Sequence, residues 1–286
     1  MEDEKGILYL CATPIGNLGD ISARCLEVLE NVDIIAAEDT RRTLQLLNHF
    51  GITKALTSYH EHNKKAKGEY IIKLLLEGKS VAQVSDAGTP AISDPGEDLV
   101  KQCIENGITV TSVPGPVAGI NALILSGLSA KRYAFEGFLS VNKRHRREHL
   151  ESIKNDSHTL IFYEAPHKLK STLEDMKKAF GGERRIALAR ELTKIHEEII
   201  RTDIDGAIEY YSENAPRGEY VLVIEGASVK NELSTDAFWE NMSITEHVEK
   251  YISDGMTQKD AIKAAASDRG ASKRDVYNDY HKELKA

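Results

Sequence analysis

Apolar residues along this chain fall into two patterns, short unbroken runs and longer stretches spaced by three or four. The runs at 7–12, 32–37, 81–84 and 108–113 read as buried strands. Between them, Asp20–Glu30 has helical spacing, with Ile21, Leu26 and Leu29 on or near one face. Further helices are expected over 41–49, 65–77 and 95–106. The last has a clear start: Asp94 as N-cap, Pro95 in the first helical position and Glu97 at capping-box spacing. Asn106-Gly107 is a stop signal. Strands alternating with helices predict an α/β domain with a mainly parallel sheet.

Pro114-Gly115-Pro116 is a stiff bend, and the first domain is expected to cover 1–116. Beyond it Val117–Leu128 is helical in spacing, and strand-like runs follow at 133–138, 159–163, 185–190, 197–202 and 219–224. Helices fit 143–154, 166–179 and 204–213. These elements predict a second α/β domain over 117–228, with mixed strand directions. The texture changes at Ser228, and 229–286 is expected to be a small all-α unit with helices at 245–255, 257–270 and 272–282. Its last two helices flank a Gly-containing turn, and Lys273 and Arg274 open the final one. That pattern fits a helix-turn-helix unit and equally a packing bundle.

Of the 286 residues 41% are hydrophobic, enough for real cores. No apolar run approaches the ~20 residues of a membrane span, and no membrane partner is expected. The acidic start MEDEKGILYLCATP is unlike a signal peptide and predicts a cytoplasmic protein. Cys11, Cys25 and Cys103 are too few and scattered for a disulfide framework or zinc site, and fit buried small hydrophobes. A net charge of −8 argues against nonspecific coating of nucleic acid. Two local basic patches remain, Lys64, Lys65 and Lys67, and the NKRHRR stretch at 142–147. Each is either a polyanion contact or a solvated face.

The strand at 81–84 runs into SDAGTPAISDPG, residues 85–96, which holds acids and small residues but no Lys or Arg. Neither the dinucleotide fingerprint nor the P-loop pattern is present. The acids would repel a pyrophosphate. They suit a ligand with hydroxyls, an ammonium and a positive centre, features that S-adenosylmethionine combines. The same residues also fit a tight turn ending in a helix cap.

TPIGNLGDIS, AAEDTR, VSDAGTPAISDPG, VPGPVAGINAL, FEGFL, TLIFYEAPHKL, ARELTK and GEYVLVIEG occur in this order between residues 13 and 226. Together they resemble the tetrapyrrole-methylase superfamily of S-adenosylmethionine-dependent methyltransferases. Within it they are similar to the branch that methylates the ribose 2′-hydroxyl of a cytidine in small-subunit ribosomal RNA. The C-terminal unit looks like the helix-turn-helix appendage of some members.

The resemblance implies a class III methyltransferase-like fold, two α/β domains with the methyl donor in the cleft between them, and a homodimer. It implies donor contacts from Ser85, Asp86, Ala87, Gly88 and, more loosely, Thr89. Pro14, Gly115, Val117, Ala118, Glu164 and Leu192 complete the implied set. Ala87 stands where proline is common in the family. Pro14-Ile15-Gly16 replaces the glycine-rich first loop of porphyrin-modifying relatives, which counts against a tetrapyrrole substrate.

Methyl transfer to a ribose hydroxyl needs alignment and a group to take the proton. Asp39, Glu191 and His60 are the favoured catalytic candidates; Glu38, Glu61 and Lys194 are further ones. Each has a plainer role open to it: Asp39 as a cap or Arg41 partner, Glu191 as a partner of Arg190 or a residue that orients a loop, and His60 as an ordinary surface or core histidine. Arg41, Arg42, Lys143, Arg144, Arg146 and Arg147 are expected to grip RNA phosphates, with the substrate an assembled or nearly assembled 30S particle. No His/Asp cluster has metal-ligand spacing, and no metal is expected. Competing readings are a small-molecule corrin or porphyrin-precursor methylase and a noncatalytic, donor-sensing RNA-binding protein.

Overall fold

The computed structural model describes residues 5–228, 239 and 242–283. The acidic start Met1–Glu4 and the expected opening of the C-terminal unit, 229–238, lie outside the described residues. Two compact units are present, dividing between Ala227 and Ser228.

The first unit is built on two five-stranded sheets. One contains β1 (Ile7–Cys11), β2 (Ile34–Ala37), β3 (Leu56–Ser58), β4 (Val81–Val84) and β5 (Thr109–Val113), in the order β3-β2-β4-β1-β5. All four pairings are parallel. Because side chains alternate across a strand, adjacent residues feed opposite cores. Cys11, Ile35 and Ala82 pack with Cys25, Leu29 and Leu47 from α1 (Ala23–Asn31) and α2 (Thr40–His49). Leu8, Ala36 and Val81 pack with Ile71, Leu75, Leu99 and Cys103 from α3 (Lys64–Leu76) and α4 (Gly96–Glu105). All three cysteines are buried and free, as small hydrophobes.

Two helix starts differ from expectation. The helix expected from Asp20 begins at Ala23, because Ser22 accepts the Cys25 N–H and residues 18–20 form a separate 3-10 turn. At α4 the regular helix starts at Gly96. Asp94 accepts the Gly96 N–H at 2.8 Å but also two hydrogen bonds from Ala91, so it braces the preceding loop.

After β5 the chain passes Pro114-Gly115-Pro116 into α5 (Ala118–Ser126), which belongs to the second sheet. That sheet has β6 (Tyr133–Phe138), β7 (Thr159–Glu164), β8 (Arg185–Arg190), β9 (Glu198–Asp203) and β10 (Tyr220–Ile224) in the order β6-β7-β10-β8-β9. The β6–β7 pair is parallel and the rest are antiparallel, the mixed arrangement expected. Alternation divides this sheet too: Ile161, Ala187, Val221 and Val223 face α5. On the other face Leu160, Phe162, Leu188 and Leu222 meet α6 (Lys143–Ile153), α7 (Pro166–Phe180) and α8 (Ile204–Glu213).

The second unit consists of α9 (Ile244–Ser253), α10 (Gln258–Asp268) and α11 (Lys273–Glu283) around Val248, Ala261, Ile262, Ala265, Val276 and Tyr280. Ser243 and Glu246 form a reciprocal capping box at α9, and Thr257 caps α10.

Candidate active site at the carboxyl ends of the parallel strands

In the first sheet β4, β1 and β5 are neighbours, so the loops leaving their carboxyl ends meet. Backbone hydrogen bonds tie Thr13 to Gly88 in both directions, at 2.9 and 3.0 Å. Thr89 Oγ1 donates to the Pro116 carbonyl at 2.9 Å, and Thr13 Oγ1 to the Ser85 carbonyl at 3.3 Å. Gly88 has φ +85°, and a Cβ there would approach Ile15 Cγ2 to 3.2 Å, so the bend requires glycine.

These loops form one wall of a cavity of about 660 Å³. Ser85, Asp86, Ala87, Gly88, Thr89, Val117 and Ala118 line it from the first sheet's side. Glu164 and Leu192 line it from the second sheet's loops, together with Tyr163, Glu191 and Lys194. Nine of the eleven residues expected to bind the donor therefore border one space. Pro14 borders a neighbouring cavity of about 410 Å³ instead. Gly115 sits behind the wall, and a Cβ there would fall 2.5 Å from Ala12 Cβ. Its expected role as a contact becomes one of close packing. Gly115→Val is accordingly expected to lower the melting temperature, with any loss of donor affinity following from a shifted loop; calorimetric melting checks this.

The cavity is acidic. Asp86 accepts the Asp39 N–H at 3.0 Å through Oδ1 and pairs with Arg42 at 3.1 Å through Oδ2. Glu38 is half-buried, and its carboxyl is pushed above the usual range chiefly by burial. The Asp86 N–H opposes that shift, while the Asp86 and Asp94 charges reinforce it. Asp94 is also raised by burial, against the pull of the Ala91 and Gly96 N–H groups. Ile15, Ile92, Phe138, Ala189 and Val221 supply apolar wall. Such a lining can seat a cation with attached hydroxyls and a flat ring.

The three favoured catalytic candidates separate. Asp39 caps α2 by accepting the Arg41 N–H, and the Arg41 side chain grips it, holding its carboxyl well below the ordinary range. His60 follows β3, beside the Asn63 amide at 3.1 Å, and borders neither cavity. Glu191 does border the larger one. Burial pushes its carboxyl up, but the Glu219 N–H and Lys194, each 2.9 Å from Oε1, outweigh that and leave it lowered. Its φ of +50° and the +65° of Thr193 mark a bent loop, whose Thr193 Oγ1 accepts the Asn17 N–H at 3.1 Å. Glu191 is therefore a brace between loops. Glu38, Tyr163 and Phe138 are cavity residues that a ranking by motif leaves in second place or unnamed; all three stand at or beside strand ends inside the quoted motifs.

The expected RNA-gripping residues are largely occupied. Arg41 pairs with Asp39, Arg42 with Asp86 and Arg144 with Glu148. The basic stretch opens the helix expected over 143–154: Asn142 caps α6, and 143–147 are its first residues. Arg146 is only 6% exposed and donates twice to Asp175, which also accepts from Arg147. A phosphate contact is corrected at Arg146 to a buried ion pair. Lys143 is exposed. In the other patch Lys64 pairs with Glu61 and Asp98, and Lys67 donates to Thr57 Oγ1.

Residues 7–208 match the family model described as tetrapyrrole (corrin/porphyrin) methylases. The chain is 50% identical to a protein of Halalkalibacterium halodurans called ribosomal RNA small subunit methyltransferase I, over 98% of this chain and 96% of that one. It is 48% identical to a Bacillus subtilis protein of the same name, with the same coverage of each. The solved structure of the methyltransferase CobJ is similar in fold, with TM-score 0.58 and 18% identity over 78% of this chain and 95% of that one.

Proposed function

The chain belongs to the tetrapyrrole (corrin/porphyrin) methylase family, and from that membership we propose that it transfers a methyl group from S-adenosylmethionine to the ribose 2′-hydroxyl of a cytidine in small-subunit ribosomal RNA. One observation carries the reading of the donor site: residues 85–89, 117–118, 164 and 192, far apart in sequence, line one acidic cavity between the sheets. The relatives' name and their match along nearly the whole chain support small-subunit ribosomal RNA as substrate; the cytidine 2′-hydroxyl rests on the motif resemblance alone.

The cavity fits the donor. Asp86 and Glu38 offer acceptors to ribose hydroxyls, an ammonium and a positive sulfur, while Ile92, Ala118 and Leu192 offer apolar surface to a base. When bound, the donor supplies an electrophilic methyl carbon. The chain's own task is to align the hydroxyl, exclude water and accept a proton. Glu38 is the proton acceptor in this reading, because it lines the cavity and burial raises its carboxyl. Glu191, tied to Lys194 and Glu219, holds the loop after β8 in place.

A homodimer, acting in the cytoplasm on a 30S particle, completes the proposal. An apolar strip supports a second copy as partner: Ile124 is 67% exposed on α5, and Phe138 59% exposed on the edge strand β6. Gly119 of α5 lies against Phe135 of β6, which packs the helix onto that side of the sheet.

Purified protein, labelled S-adenosylmethionine and small ribosomal subunits lacking the modification test the reading. Label is expected on a ribose oxygen of a cytidine after nuclease digestion. Transfer only to a tetrapyrrole, or donor binding without transfer, would overturn it.

A further inference from the structure

We propose that the smaller cavity beside the donor site receives the single nucleoside to be methylated, extruded from the RNA; the inference rests on the function proposed above. This cavity, about 410 Å³, lies between α2 and the turn after β1. Its volume falls within the ~300–1,000 Å³ of small-ligand sites.

The sequence of α2 makes the wall. Leu47 is buried in the sheet's core, whereas Arg42, Gln45, Leu46 and His49, spaced three, four and seven apart, line the cavity with the buried Thr43. The core does not require that choice of residues. Leu18, on the facing turn, is 41% exposed into solvent. Arg42, Ser85 and Asp86 border both cavities, so whatever fills the smaller one abuts the donor site there.

The chemistry orients the occupant. At the shared end the oxygens of the Asp86 carboxylate, which Arg42 neutralises, accept from hydroxyls. That end suits a ribose. Leu18 and Leu46 present apolar surface to a flat base, and the Gln45 amide offers one acceptor and donors to its Watson–Crick edge. Cytosine, with an exocyclic amine beside a ring acceptor, matches that pair. His49 lies one turn further along α2, where a flanking phosphate would pass.

Gln45 and His49 are exposed, so the double variant Gln45→Ala/His49→Ala leaves the fold standing. With small subunits lacking the modification as substrate, kcat/KM is expected to fall about ten-fold or more, the cost of lost base contacts. Affinity for S-adenosylmethionine by calorimetry and the melting temperature are expected to stay unchanged. Leu46→Arg, which fills the cavity, is expected to act the same way. Wild-type rates in both variants would overturn the inference, as would a parallel loss of donor affinity, which would make the cavity part of the donor site. Failure of the unaltered protein to methylate RNA would instead overturn the function proposed above, and the inference with it.

Discussion

Arg146→Ala is expected to lower the unfolding free energy by about 3–5 kcal/mol, the usual cost of stripping one partner from a buried ion pair. Arg146 and Asp175 are 6% and 3% exposed, and the guanidinium reaches the carboxylate through Nε at 2.9 Å and Nη2 at 2.6 Å. The variant leaves Asp175 inside the α6–α7 packing with only Arg147, itself half-exposed, to balance it. Urea denaturation reads the loss, and Lys143→Ala, at an exposed neighbouring position, supplies the control. Replacing both partners with apolar residues, Arg146→Met with Asp175→Leu, is expected to restore most of the stability, because no charge is then stranded. If Arg146 served RNA instead, the single variant would keep its denaturation midpoint and lose only methylation. The pair also sets an acid limit. Burial pushes the Asp175 carboxyl up, but its hydrogen bonds to Arg147 and Arg146 outweigh that and leave it lowered. A lowered folded-state value gives stability that is complete above the unfolded aspartate range. It is lost as pH falls through the folded value, and Arg146→Ala is expected to weaken that acid step, Arg147 alone then holding the carboxylate.

The Arg146 pairing marks where local sequence stops being informative. Strands such as Val81–Val84 and Tyr133–Phe138 are legible to the residue, since each is an apolar or aromatic run closed by turn chemistry. Leu56–Ser58 is not: three residues are too few to show alternation, and the strand exists because β2 offers it an edge. The cavity wall is legible because its small residues and acids stand in one run, 85–89, where the fold needs a tight bend after a strand. A run of arginines carries no such mark of burial. The carboxylate that draws Arg146 inward lies 29 residues away on α7, and nothing near position 146 announces it. Choosing between Glu38 and Asp39 fails for a similar reason. Both follow β2, but the start of α2 takes Asp39 as its cap and leaves Glu38 facing the cavity, a division set by one turn of backbone.

That division makes Glu38→Gln the substitution with the largest expected effect on rate. Losing a proton acceptor is expected to lower kcat about 100-fold or more, with a smaller loss of affinity for S-adenosylmethionine from the missing charge beside the donor. Asp39→Asn is expected to cost far less, because a carboxylate held ionised by Arg41 is a poor base. Dependence on pH tests the assignment independently. Burial raises the Glu38 carboxyl first; the Asp86 N–H and Arg42 oppose the shift, and the Asp86 and Asp94 charges reinforce it. The group acts only when deprotonated, so the rate rises with pH through its folded value and levels off above it. The acid limb therefore lies above the usual carboxylate range, and it disappears in Glu38→Gln. A bound cation beside Glu38 favours the ionised form, so saturating donor is expected to move the limb to lower pH. A limb that stays in the Gln variant, or that ignores donor concentration, would assign the proton to another group.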